Sequence, residues 1–433
     1  MKVEIEKGVN PMKNKINYLL IIPLLILTFL TANNFVQAQE LPFHGFVETA
    51  IGGRYDSADY LEDDLTLSEI RAQLEYGAFL GPDGEFQVKA DIIKDTFSEE
   101  TDIELREGYI WLYPSRNFEI KAGRQILTWG TGDLLFINDL FPKDYRSFFI
   151  GRDQEYLKAP TNAIKTSFFP KGAIVDVVFM PTFTSDEYVT GERLAYFSQS
   201  RGKMTEQEYS ANVEEPAKDW SNSELALRVK KNYKDHELAL YGYRGFHKQP
   251  TTESLQSSKM IFPRLNVYGA SWRNRLLGGI TSAEIGYYDS RSDNAASQIT
   301  IPNDYWKALV GYNKDLDNNL RIGFQYYLEQ MQNYREYENN LPANYEYKQE
   351  ENRHVTTLRI TKELYRQTLK LDLFTFYSLS DEDGYLRPTV SYDWTDNINL
   401  SAGGNVFFGD ENYTQYASME DNSNLYLRLR YSY

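Results

Sequence analysis

Apolar and polar residues alternate along most of this chain, in runs of about ten residues separated by turns or loops. Ile70, Ala72, Leu74, Tyr76 and Ala78 fall on one face of such a run, and Glu69, Arg71, Gln73 and Glu75 on the other. A period of two marks a β-strand, whose successive side chains point to opposite sides of a sheet. Gly81-Pro82-Asp83-Gly84 predicts a tight turn. A second run follows, with Phe86, Val88, Ala90 and Ile92 opposed to Gln87, Lys89 and Asp91. The grammar repeats: Leu225, Leu227 and Val229 oppose Arg228 and Lys230, and Leu320, Ile322, Phe324, Tyr326 and Leu328 oppose Arg321, Gln325 and Glu329. Trp306, Ala308, Val310 and Tyr312 oppose Lys307 and Asn313, and Leu369, Leu371 and Leu373 oppose Lys370 and Asp372.

A soluble sandwich would show the same alternation. The connections separate the two cases. Short turns near 81–84, 114–117, 170–172, 232–235, 313–318 and 396–397 alternate with long polar loops at 131–160, 185–220, 246–262, 333–353 and 411–424. That is the layout of an outer-membrane barrel, with short periplasmic turns and long outer loops. The expected fold is an all-β, transmembrane antiparallel β-barrel of about 18 strands, an even number that puts both termini on one side. The stretch near 241–273 leaves the count ambiguous.

Composition fits a barrel. Hydrophobic residues are 42% and charged residues 25% of 433, and the mean hydropathy is -0.55. No long apolar run lies outside the N-terminus, which excludes a helical membrane bundle. Yet 15% of the residues are aromatic, with 34 Tyr, 24 Phe and 6 Trp, the load that interfacial girdles require. There is no cysteine, and a barrel closed by its own hydrogen bonds needs no disulfide. A net charge of -16 argues against nucleic-acid binding.

The N-terminus reads as an export signal. Lys13 and Lys15 precede an apolar run from Tyr18 to Leu30, and Val36-Gln37-Ala38 closes it. We expect residues 1–38 to be a signal peptide cleaved after Ala38, with Met12 the better start, and residues 39–433 to be a single barrel domain. No lipobox cysteine is present. Residues 1–38 carry +2, so the remainder carries -18. At the other end Leu425, Leu427, Leu429, Tyr431 and Tyr433 alternate with Tyr426, Arg428, Arg430 and Ser432. This resembles the C-terminal strand signature of bacterial outer-membrane proteins. It implies that the barrel assembly machinery is a partner, reading the strand that ends at Tyr433.

In lipid every backbone polar group needs an internal partner, so a sheet spans the bilayer only when closed. The apolar faces then meet outer-membrane lipid and the polar faces a lumen. The expected lumen residues are Arg71, Lys121, Arg228, Arg321, Arg428 and Arg430, with Arg359 and Lys370, balanced by Glu69, Glu75, Glu119, Glu284 and Asp372.

Gly123-Arg124-Gln125 with Trp129-Gly130, followed by Asp133, Pro142 and Asp144, forms a G-R-Q-x-x-x-W-G…D…P-x-D pattern. It resembles a group of largely uncharacterised outer-membrane porin-like proteins and, more loosely, is similar to the alginate-export and phosphate-selective porin families. The resemblance covers roughly residues 123–160 and implies a single-chain barrel in solute or lipid-associated transport, with no substrate specified.

Loops as long as 131–160 are uncommon unless functional. Two readings stay open for it. Folded into the barrel, it would narrow the pore, and Arg124, Trp129, Asp133, Asp139, Asp144, Arg146, Arg152 and Lys158 become constriction candidates, with Asp153 beside them. Laid over the mouth, it would be packed by Phe136, Phe141, Phe148 and Phe149, with its charges in solvent. Asp133, Asp139 and Asp144 do not have the spacing of a known Ca²⁺ loop, and no metal or cofactor is expected. The four His are scattered, and no G-x-S-x-G elbow or phosphate-binding loop occurs, so no enzyme is expected.

The expected function is a porin-like channel in the outer membrane of a Gram-negative-type bacterium, passing a small-molecule solute. Alternatives are a transporter or exporter of hydrophobic or lipid-like compounds, motivated by Tyr334, Tyr337, Tyr345 and Tyr347, or a surface binding barrel.

Overall fold

The computed structural model describes residues 43–433 except 57–60, 62, 97–100, 192, 199–201, 207–211, 255–256, 258, 294–295 and 317–318. The expected signal peptide and its cleavage point lie outside these residues. Eighteen strands form one sheet: β1 (Phe43–Arg54), β2 (Leu65–Phe79), β3 (Gly84–Asp95), β4 (Thr101–Ser115), β5 (Phe118–Ile126), β6 (Pro160–Phe168), β7 (Ala173–Met180), β8 (Glu224–Tyr233), β9 (His236–Phe246), β10 (Arg264–Leu276), β11 (Gly279–Ser290), β12 (Tyr305–Leu316), β13 (Leu320–Met331), β14 (Asn352–Leu364), β15 (Leu369–Ser378), β16 (Asp383–Asp393), β17 (Ile398–Phe408) and β18 (Asn424–Ser432). The ambiguous stretch resolves as β9, a loop and β10.

Each strand pairs antiparallel with its neighbours, and β18 returns to β1 from Phe46↔Ser432 to Arg54↔Asn424. The sheet is therefore a closed cylinder with no edge strand, so every strand finds its backbone partners inside the sheet. Eight short turns lie at one end, with Phe43 and Tyr433, and the longer connections lie at the other. At the β2–β3 turn Gly81 takes φ 80°, a left-handed conformation that glycine adopts without strain.

Alternation decides which face is which. Leu240 and Leu427 are 62% and 60% exposed on the outside of the cylinder, while Arg71 and Asp91 on inward positions are fully buried. Leu74, Val88, Ile110, Val310, Leu371 and Val390 continue the outer apolar belt. Exposed aromatics ring it. Phe79, Phe168, Tyr233, Tyr365, Trp394 and Tyr433 lie at the short-turn end, and Trp220, Tyr268, Trp306 and Tyr377 toward the long-loop end. Among the described residues no helix is long and apolar enough to cross a membrane. A cylinder with a greasy outer belt between two aromatic girdles crosses with its strands.

The main hydrophobic core lies inside the barrel, toward the long-loop end. Leu127, Trp129, Ile137, Phe141, Phe148, Ile150 and Leu157, all from the connection between β5 and β6, join inward-facing Phe374, Phe376, Tyr385 and Phe407.

Candidate functional site

Residues 127–159 fold into the lumen, which decides between the two readings left open for this loop. The inner wall is polar and supplies partners for the loop's backbone and charges. On β11, Glu284 accepts from the Thr131 backbone N–H (2.6 Å) and the Asn138 backbone N–H (2.8 Å). On β13, Gln325 accepts from the Asp133 N–H (2.7 Å) and donates to the Asp133 carbonyl (2.9 Å). On β14, Arg359 pairs with the Asp133 carboxylate at 2.7 Å. The far side of the loop reaches β2 and β3. Arg152 pairs with Glu69 at 2.6 Å, and the Tyr156 hydroxyl donates to Asp91 at 2.8 Å while Arg71 stacks over its ring at 4.2 Å. Strands β2 and β11 are nine apart in a ring of 18, so the loop spans the lumen from wall to wall.

Within the loop a short helix, α1 (Tyr145–Ile150), is capped by Asp144, whose carboxylate accepts from the Ser147 N–H at 2.7 Å. Gly151 ends it at φ 95°, and a Cβ there would collide with the Tyr426 ring, so only glycine fits. The phenylalanines that the over-the-mouth reading assigned to packing lie inside the barrel instead. Phe149 sits edge-on to Phe407 at 5.4 Å, Phe148 edge-on to Tyr385 at 5.9 Å, and Tyr385 stacks on Phe407 at 4.5 Å. Asn405 and Asn424 both donate to the Phe149 carbonyl at 2.9 Å, fixing the helix against β17 and β18.

The remaining constriction candidates separate. Trp129 is buried edge-on against Phe141 at 5.0 Å, with Arg228 over its ring at 5.2 Å. Asp139 pairs with Lys143 at 3.1 Å and accepts from Thr128, whose hydroxyl also accepts from Lys158 at 2.6 Å. Asp133, Asp139 and Asp144 thus serve three different partners, Arg359, Lys143 and Ser147. Arg146 reaches Glu187 of the β7–β8 connection at 3.3 Å. Arg124 requires a correction. Gln125 and Lys121 face inward, so Arg124 takes the outward parity of β5, where its Nε donates to the Leu105 carbonyl at 2.6 Å. It is not on the lumen wall, because the strand continues through Gln125 before the loop turns inward.

Of the lumen residues, Arg71 lies between Glu69 (3.1 Å) and Asp91 (2.6 Å), Arg228 pairs with Asp176 at 2.5 Å, and Lys121 sits 3.5 Å over the Tyr109 ring. Arg321 pairs with Asp315 at 2.6 Å but is 61% exposed, at the short-turn rim rather than deep in the lumen. Arg428 reaches Asp153 at 2.8 Å, and Arg430 reaches Glu48 at 2.8 Å and Glu155 at 3.1 Å.

These last contacts border a lumen cavity of about 360 Å³ between Asp153 and Gln154 of the loop and the wall from β14 to β18. Five cations line it, Arg359, Lys370, Arg387, Arg428 and Arg430, against three carboxylates, Glu48, Asp153 and Asp372. Arg387 Nε, Arg428 Nε and Arg430 Nη2 are buried with no hydrogen-bond acceptor. Among the described residues Lys370 and Arg387 have no carboxylate within ion-pair distance. Asp133 and Glu155 beside the cavity pair with Arg359 and Arg430, so the cations left without a carboxylate partner on this wall, among the described residues, are Lys370 and Arg387.

Glu48 and Arg387 went unread in the sequence. Glu48 stands between inward Phe46 and Ala50, which mask the alternation, and Pro388 interrupts the strand beside Arg387. Outward Val390 and Tyr392 were the available signal for Arg387.

No family model matches the chain, and no curated protein matches it. Solved structures do. OccK10 (OpdN) of Pseudomonas aeruginosa is 12% identical over 91% of this chain and 99% of that one, with a TM-score of 0.48. OmpF of Salmonella typhi is 9% identical over 90% and 97%, with a TM-score of 0.45. OccD3 (OpdP) of Pseudomonas aeruginosa, 11% identical over 90% of each chain with a TM-score of 0.52, shares the fold of this protein.

Proposed function

We propose that this protein is a porin-like outer-membrane channel for small solutes, and that it favours anionic ones where the inserted loop faces β14–β18. The observation that carries the reading is that Lys370 and Arg387 line one lumen cavity with no carboxylate partner among the described residues, beside the paired Arg359, Arg428 and Arg430. Guanidinium groups offer carboxylates and phosphates two parallel hydrogen bonds. Charged rings at a constriction set which ions pass. The acids around them, Glu48, Asp133, Asp153, Glu155 and Asp372, hold the other arginines in place and keep the field transverse. The chain's overall charge of -16 does not bear on this, since selectivity depends on the charges lining the path.

Purified, refolded barrel in a planar bilayer tests the reading. A tenfold KCl gradient is expected to give a reversal potential of anion-selective sign. The double variant Arg387→Gln/Lys370→Gln is expected to move it toward zero. Conductance no higher than background removes the channel, and a cation-selective sign in the unmodified protein removes the anion preference.

A further inference from the structure

A second basic feature lies outside the barrel. On the outer face, β8, β9 and β10 align Leu227↔Gly242↔Tyr268 across three strands. Gly242 has no side chain, and a Cβ built on it meets nothing nearer than Leu227 at 4.0 Å. A trough thus runs between Leu227 and Tyr268. One row nearer the long-loop end the same strands align Leu225↔Arg244↔Asn266. Beyond it stand Arg264, which pairs with Phe246, and Arg291, whose N–H donates to the Arg264 carbonyl. Together these residues enclose a groove of about 480 Å³ on the exterior surface.

The three arginines are not equivalent. Arg264 donates to Asn222 at 2.8 Å and lies over the Phe246 ring at 4.9 Å. Arg291 reaches Asp289 at 3.5 Å. Arg244 is exposed on the outward face, and its side chain makes no hydrogen bond or ion pair among the described residues. Asp219 lies near Arg264 and Asp289 near Arg291, which leaves Arg244 as the cation of the three without a carboxylate partner among the described residues. A cation on the lipid face is costly at the bilayer midplane and tolerated at the interface. These three stand at the long-loop end of the barrel, next to the apolar trough.

We propose that this groove binds an anionic lipid of the surrounding leaflet, its phosphate on Arg244, Arg264 and Arg291 and one acyl chain in the trough over Gly242. Charge complementarity selects the phosphate, because guanidinium groups take its oxygens in pairs. The missing side chain at Gly242 selects a chain-bearing ligand over a free ion. The inference rests on the barrel being embedded in a membrane and is independent of whether it conducts.

Native mass spectrometry of the full folded barrel in neutral detergent tests it, with phosphatidylglycerol and phosphatidylcholine supplied as competing probes. Phosphatidylglycerol is expected to be retained at least tenfold over phosphatidylcholine. Arg244→Gln is expected to bring that ratio to within twofold. Gly242→Leu, which fills the trough without touching the cations, is expected to weaken retention of both lipids. Heat-modifiable migration confirms that each variant is folded. No preference in the unmodified protein, an unchanged ratio in Arg244→Gln, or inorganic phosphate displacing phosphatidylglycerol at equal concentration would each overturn the proposal. Loss of conductance in the unmodified barrel alongside intact lipid selectivity would remove the channel reading and leave this one standing.

Discussion

Glu69 is buried between two guanidinium groups, Arg71 of its own strand and Arg152 of the inserted loop. Removing one partner of a buried ion cluster leaves uncompensated charge, a loss on the order of 3–5 kcal/mol. Glu69→Ala is therefore expected to lower the urea midpoint of the reconstituted barrel by far more than Tyr156→Phe. The latter removes one hydroxyl donated to Asp91 and costs about 1 kcal/mol. Equal effects would show that the loop is not held by this cluster. Arg124 supplies the contrasting case. Because it faces outward, Arg124→Gln is expected to leave ion selectivity unchanged, whereas Arg387→Gln shifts it. A selectivity change in Arg124→Gln would place that side chain in the lumen after all.

The inserted loop is held at its outer end by a clasp. Lys143 donates its N–H to the Asp186 carboxylate at 2.8 Å, the Glu187 N–H donates to the Lys143 carbonyl at 2.8 Å, and the Tyr145 N–H donates to the Glu187 carbonyl at 2.9 Å. Burial pushes the Asp186 carboxyl up to about 6, against the opposing pull of Lys143 and Lys248. A carboxyl raised in the folded state favours the folded clasp while protonated. That contribution is complete below its unfolded value and is lost as pH rises through about 6. Hydrogen exchange at the Lys143 amide is thus expected to be slower at pH 5 than at pH 7.5, after correction for intrinsic rate. Asp186→Asn keeps the acceptor and is expected to abolish the difference. At this scale much was legible in the sequence. The strands, the alternation of short and long connections and the loop spanning 131–160 follow from period-two patterning and turn residues, which are local signals. The path of the loop was not legible, because Glu284, Gln325 and Arg359 lie far from it in sequence and their pairing is a product of closure. The role of the aromatics of β15–β17 was not legible for the same reason. Phe374, Tyr385 and Phe407 face inward to receive α1, although an apolar residue in a barrel strand ordinarily faces lipid.

For the whole molecule, the outer belt and the inner wall set opposite rules for the same residue type, and β18 shows both. Arg428 and Arg430 face inward and find Asp153 and Glu48, while Leu427 between them faces outward and is among the most exposed apolar residues of the belt. An arginine placed at position 427 would have no carboxylate in reach. On the lipid face near the midplane such a substitution costs about 2–4 kcal/mol, falling to about 0–1 near the interfaces. Leu427→Arg is therefore expected to destabilise the barrel in phosphatidylcholine vesicles by the midplane amount, read from equilibrium unfolding by tryptophan emission. Leu225→Arg, in the row of Arg244 near the long-loop rim, is expected to cost much less and to gain from anionic lipid. The two substitutions make the same chemical change on the same face at different depths. Equal destabilisation by both would mean that no apolar slab surrounds the cylinder, and the inward arginines would then be solvating a wall rather than bordering a path.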